Sequence, residues 1–105
     1  TTTEVVNASA TNKFYLCSML LFAAAPLNVA LVEDDTDACA SPTAGILGGT
    51  TAATGFVITS QGLNYGSGSA AVAASAATNR YVCLITTGTG GTDQLSGNIS
   101  YVLAP

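Results

Sequence analysis

Short strand signals recur along the whole of this chain, separated by Gly, Ser, Thr and Asn, and no helical stripe of useful length interrupts them. Phe14-Tyr15-Leu16-Cys17-Ser18-Met19-Leu20-Leu21-Phe22 is apolar on both alternating faces, as expected of a strand covered on both sides. Leu27, Val29 and Leu31 then alternate with Asn28 and Ala30, the period of two that marks a second strand, and a hairpin through residues 23–26 is expected to join the two. Phe56-Val57-Ile58-Thr59 and Tyr81-Val82-Cys83-Leu84-Ile85 are rich in β-branched and aromatic residues and read as strands. In the last run Ile99, Tyr101 and Leu103 share one face, with Gly97 at its start. Weaker candidates at residues 4–6, 45–47 and 70–74 bring the total to seven or eight short strands. The expected fold is therefore all-β: one antiparallel, jelly-roll-like β-sandwich over residues 1–105, with residues 1–10 as an N-terminal arm or strand. Residues 70–77 have helix propensity but no amphipathic stripe, which leaves a short helix as the alternative there.

A chain of 105 residues has room for a single core. Hydrophobic residues make up 49% of it and charged residues only 8%, too few to cover an ordinary surface, so part of the exterior is expected to be covered by other copies in a homotrimer or higher oligomer. Six acids stand against Lys13 and Arg80, giving a net charge of −4. Nothing in that distribution tracks a phosphate backbone, and nucleic acid is excluded as a partner. Residues 19–32 are nearly all apolar but too few to span a bilayer, and residues 1–10 carry Glu4 with no base, a poor fit to a signal peptide. A start at Thr1 is consistent with removal of an initiator methionine, and neither a targeting segment nor a membrane partner is expected.

Counting alone cannot separate the three pairings that Cys17, Cys39 and Cys83 allow. The expected pair is Cys39 with Cys83, which ties a Ser/Thr/Gly/Ala-rich middle section to a late apolar strand and closes a long loop. Cys17 lies inside an apolar strand and reads as a small buried hydrophobe, with a bridge to a neighbouring copy as the alternative. Oxidised cysteines point to a particle or secreted protein that meets an oxidising exterior.

Catalytic readings fail on inventory. With no histidine there is no Ser-His or Cys-His pair, and two bases cannot supply an anion clamp as well as a general base. Thr87-Gly88-Thr89-Gly90-Gly91-Thr92 has no following Lys or helix, so it reads as a permissive turn rather than a phosphate loop. The triplets at Asn7 and Asn98 match the glycosylation pattern by chance and receive no function. Glu33, Asp34, Asp35 and Asp37 together offer hard oxygens to a calcium ion, with Asp93 as a possible extra ligand, yet the Gly and distal Glu of an EF-hand loop are missing. The plainer reading is a solvated turn that keeps a strand end soluble, and no cofactor or metal is expected. Tyr15, Tyr81 and Tyr101 fall in strand patterns, whereas Tyr65 lies between Gly62 and Gly68 in what reads as an exposed loop suited to contacting a partner.

Four stretches in order resemble a family of small tailed-bacteriophage virion proteins, and the resemblance runs from about Lys13 to the end. They are Tyr15-Leu16-Cys17-Ser18 with the Ala-rich turn after it, Asp37-Ala38-Cys39-Ala40-Ser41-Pro42-Thr43, Gly62-Leu63-Asn64-Tyr65-Gly66-Ser67-Gly68, and Tyr81-Val82-Cys83-Leu84 followed by Ser96-Gly97-Asn98-Ile99-Ser100-Tyr101. The acidic residues at 33–37 stand where that family more often shows Gly and Thr. The resemblance implies a β-rich virion component displayed on the exterior of the head as a decoration or cement protein, with the major capsid protein as a partner. On that reading Thr1, Glu4 and Val6 belong to an arm that reaches a neighbour and Tyr65 is a contact. A tail or head fibre module that binds host glycans is the alternative.

Overall fold

The computed structural model describes residues 2–36, 39–58, 62–87 and 95–105. Nine strands among them form two antiparallel sheets: β1 Thr2–Val6, β2 Lys13–Ala23, β3 Leu27–Asp34, β4 Ala44–Leu47, β5 Phe56–Ile58, β6 Leu63–Tyr65, β7 Ala73–Ala74, β8 Tyr81–Thr86 and β9 Leu95–Ala104. A 3-10 turn, Ala52–Thr54, precedes β5, capped by the Thr51 side chain. The first sheet runs β1-β8-β3, with β4 and β5 sharing the far flank of β3. In the second, β2 is central, flanked on one side by β9 and on the other by β6 and β7 in turn. The β-sandwich read from the sequence is the fold, and the strand the sequence reading did not include is β6, Leu63–Tyr65, in the stretch read as a loop.

The two most apolar strands, β2 and β3, do not form the expected hairpin. They lie in different sheets, joined by an arch at Pro26. The physical reason is that each needs neighbours on both edges and a partner on its inner face, and stacking one over the other satisfies both. Phe14, Leu16, Met19 and Leu21 of β2 thereby meet Leu27, Val29 and Leu31 of β3, with Ile58, Val82 and Leu84 completing the core. Burying each such side chain contributes about 1.5–3 kcal/mol.

The inner positions of β2 change phase partway, from 14 and 16 to 19, 21 and 23. A β-bulge at Cys17 does this, because Leu16 pairs Tyr101 while Ser18 pairs the very next residue, Ser100. Without it Ser18, Leu20 and Phe22 would turn inward. The bulge frees the Cys17 carbonyl, which accepts the Gly68 N–H at 3.2 Å. Gly66, at φ +85°, passes so close that a Cβ there would stand 2.3 Å from the same oxygen. Beyond it, Val72 N–H donates to Leu16 O, Ser75 N–H to Phe14 O, and Phe14 N–H to Ser75 Oγ. The Gly- and Ser-rich stretch is thus the zipped edge of β2. Cys17 itself is buried and unbonded, the small hydrophobe expected.

On the outside of the first sheet, Ala30 and Val32 of β3 are covered by a second, smaller cluster made of Cys39 and Cys83 with Tyr81 and Ile85 packed against it. Cys39 and Cys83 form the expected disulfide, with Cα atoms 6.4 Å apart. It therefore pins the chain that follows β3 flat against the outer face, and β3 is buried on both faces.

Candidate functional site

Among the described residues the sandwich is more open on one flank than on the other, where the cleft is smaller. On the open flank the edge strands are β1 of the first sheet and β9 of the second, and a cleft of about 470 Å³ lies between them. Val5, Val6, Leu21, Leu84, Ile99 and Tyr101 line it, together with Leu95, Gly97 and the polar Thr3, Thr86, Ser96 and Asn98. Opposite residues of an antiparallel pair share a face. The pairing of β9 with β2 therefore turns Leu95, Ile99, Tyr101 and Leu103 toward the core side, as the alternation predicts. Leu95 and Ile99 pack against the core, whereas no described strand of the first sheet covers Tyr101 and Leu103. Tyr101 stays 43% exposed and Leu103 38%, although the Tyr101 ring still leans on Phe14 at 5.5 Å between centroids. On the other face of β9, Val102 is 51% exposed beside Tyr15. The cleft lining carries no acid, base or thiol, its one ionisable group being the Tyr101 phenol. Such a site can bury apolar side chains, and its polar groups are the hydroxyls of Thr3, Thr86, Ser96 and Tyr101 and the Asn98 amide.

The sequence-derived candidates are scattered, not gathered at this cleft. Of the proposed arm, residues Thr2–Val6 are seated in the protein's own sheet as β1, where Thr2 pairs Ile85 and Glu4 pairs Cys83; Thr1 lies outside the described residues. Val6 is buried in the core and lines the cleft, while Glu4 is exposed. Tyr65 is not in an exposed loop. It ends β6 opposite Met19, half-buried against the core, and lines a smaller cleft on the far flank with Phe56 and Leu63. The signal missed there was the paired glycines: Gly62 and Gly66, both at positive φ, bracket a three-residue strand.

The acidic run is also not the solvated turn that composition suggests. Glu33 and Asp34 close β3 and are each 1% exposed. Glu33 faces the interior opposite Val82, and both its carboxyl oxygens accept the Ala76 N–H at 2.9 Å, which links β3 to the segment after β7 in the other sheet. Asp34 faces outward and ties off the loop that carries Cys39. It accepts Thr36 Oγ1 at 2.9 Å, Thr43 Oγ1 at 3.1 Å and the Thr36 N–H at 3.3 Å, while Thr43 N–H donates to Glu33 O. Burial disfavours the Asp34 charge, but these hydrogen bonds outweigh it and hold the carboxyl below the usual carboxylate range. Asp35 is exposed; Asp37 and Asp93 lie outside the described residues. Among the described residues no three His, Cys, Asp or Glu side chains are grouped to hold a metal ion.

Because the folded carboxyl keeps its charge to lower pH than the unfolded one, the unfolded chain binds the extra proton as acid is added. The contribution of Asp34 is complete above the unfolded value of about 3.9 and disappears as pH falls through the folded value. Asp34→Asn is expected to lower the melting temperature at pH 7 and to flatten its fall between pH 5 and pH 3, followed by circular dichroism. An unchanged acid profile would show that Asp34 is not the responsible group.

No family model, no curated protein and no solved structure matches this chain. Among the described residues no helix is long and apolar enough to cross a membrane.

Proposed function

We propose that this chain is a structural module of a bacteriophage virion, a decoration or cement protein on the exterior of the head that binds the major capsid protein and further copies of itself. The observation that carries this reading is the open flank: a mainly apolar cleft lined by no acid, base or thiol, bordered by a ten-residue edge strand that has no charged side chain. That is the equipment of a protein whose work is contact. The ordered resemblance to small virion proteins supplies the setting. The disulfide suits a fold that must persist outside a reducing compartment.

Stabilisation would come by mass action. A module that binds the assembled lattice and not the separate subunits shifts assembly toward the shell, and the shift grows with the number of sites occupied. Apolar cleft residues supply the contact energy, and the near absence of charge removes desolvation penalties when shell surfaces close over it.

Electron cryomicroscopy of the native particle that contains this chain tests the reading. Density at regular lattice points on the outer shell is the expected result. Density confined to a tail or fibre would replace it with the adhesion reading and turn attention from the cleft to exposed aromatics.

A further inference from the structure

The described edges of the two sheets are unequal. β4, β5, β6 and β7 are two to four residues long, and β1 has five residues, a bulge at Val5 and the charge of Glu4. Short edges, bulges and charges are the usual devices by which a sheet avoids adding a further strand. β9 has none of them on its open side. It runs for ten residues, Leu-Ser-Gly-Asn-Ile-Ser-Tyr-Val-Leu-Ala, with no charge and no proline, and among the described residues only its β2 side is paired.

We infer that β9 pairs antiparallel with β9 of a second copy across a two-fold axis, so that the two β2/β9 sheets become one continuous sheet and each copy shields part of the other's cleft. The virion reading supplies only the setting for this contact. Charge selects the partner: this chain carries −4 overall, and β9 against β9 brings no like charges together, whereas β1 against β1 would bring two copies of Glu4 close. Closure follows from the inequality of the edges. A strand that pairs with itself gives an isologous contact that stops at two copies, and the guarded β1 discourages the β9-to-β1 contact that would grow into a fibre.

The pleat restricts the register. Inward residues must oppose inward residues, and placing Ser100 on the axis achieves this while setting Ile99 of each copy against Tyr101 of the other, an aromatic with a β-branched side chain. It also buries Tyr101, Val102 and Leu103, three of the exposed large hydrophobic side chains. Ten residues of edge, roughly 33 Å long and one sheet of about 10 Å deep, bury on the order of 700 Å² over both copies, which places the dimer among weak, transient contacts.

Sedimentation of the full chain from about 10 to 500 µM is expected to show a reversible monomer–dimer equilibrium in this weak range. Ser100→Lys, on the exposed outer face, sets like charges against each other on the axis and is expected to weaken dimerisation about tenfold or more with the melting temperature of the monomer unchanged. Ser100→Cys should form a disulfide-linked dimer on mild oxidation, and Thr2→Lys, exposed on the outer face of β1 and away from the cleft, should leave the equilibrium as it was. A wild-type monomer at 500 µM, a dimer indifferent to Ser100→Lys, or one broken by Thr2→Lys would each overturn the inference. None of these outcomes depends on where the chain sits in a particle, so the virion reading stands or falls separately.

Discussion

Replacing Cys39 with serine is expected to lower the unfolding free energy by about 4 kcal/mol while leaving the sandwich able to form. The bridged residues are 44 apart in sequence, and releasing a loop of that size restores a large conformational freedom to the unfolded chain. In a domain of this size the loss corresponds to a fall in melting temperature of roughly 15–30 °C. The fold survives because the two apolar clusters are separate. The inner one, from Phe14 and Leu16 to Val82 and Leu84, has no cysteine in it, and the disulfide serves the outer one, with Ala30 and Val32. Calorimetry of the variant, and of the native protein with and without reductant, measures the difference. A loss below about 1 kcal/mol would mean that the Asp34 hydrogen bonds at the base of the loop hold it without covalent help.

The same division shows what was legible in the sequence. Alternation placed Leu27, Val29 and Leu31 on one face of β3 and Ile99, Tyr101 and Leu103 on one face of β9, and both placements hold. The cysteine pairing was legible because a loop cysteine and a strand cysteine needed a long-range partner. The arch was not, because a link as short as residues 24–26 between two apolar strands serves a hairpin and a sheet-to-sheet crossing equally well; the choice depends on how many neighbours each strand finds elsewhere. The burial of Glu33 and Asp34 was hidden for a similar reason. Composition marks an acid as a surface residue, and only a partner far along the chain, Ala76 for Glu33, makes burial acceptable. The open flank could not be read at all. Periodicity says which residues share a face, but not whether an opposite sheet is wide enough to cover them.

Gly97→Ala is expected to cost about 3–5 kcal/mol and to loosen the first half of β9. Gly97 sits opposite Leu21 on the core-facing side, at φ +147°, a conformation an alanine adopts only with strain. A Cβ there would fall 1.8 Å from Leu20 O and 2.8 Å from its carbonyl carbon, so the two strands would have to separate by more than an ångström. The atoms in the way are backbone, which no rotamer change removes. Asn98→Ala, one residue on and exposed beside Leu20, is the control and should change stability by less than about 0.5 kcal/mol. Amide hydrogen exchange on both variants separates the outcomes. Rapid exchange confined to β9 and its partner amides in β2 is expected for Gly97→Ala, whereas an alanine accepted at near-native stability would mean that β9 can sit further from β2 than described. The glycine also shapes the site. Gly97 itself lines the cleft, so the residue that lets β9 lie close against β2 also forms part of the cleft wall.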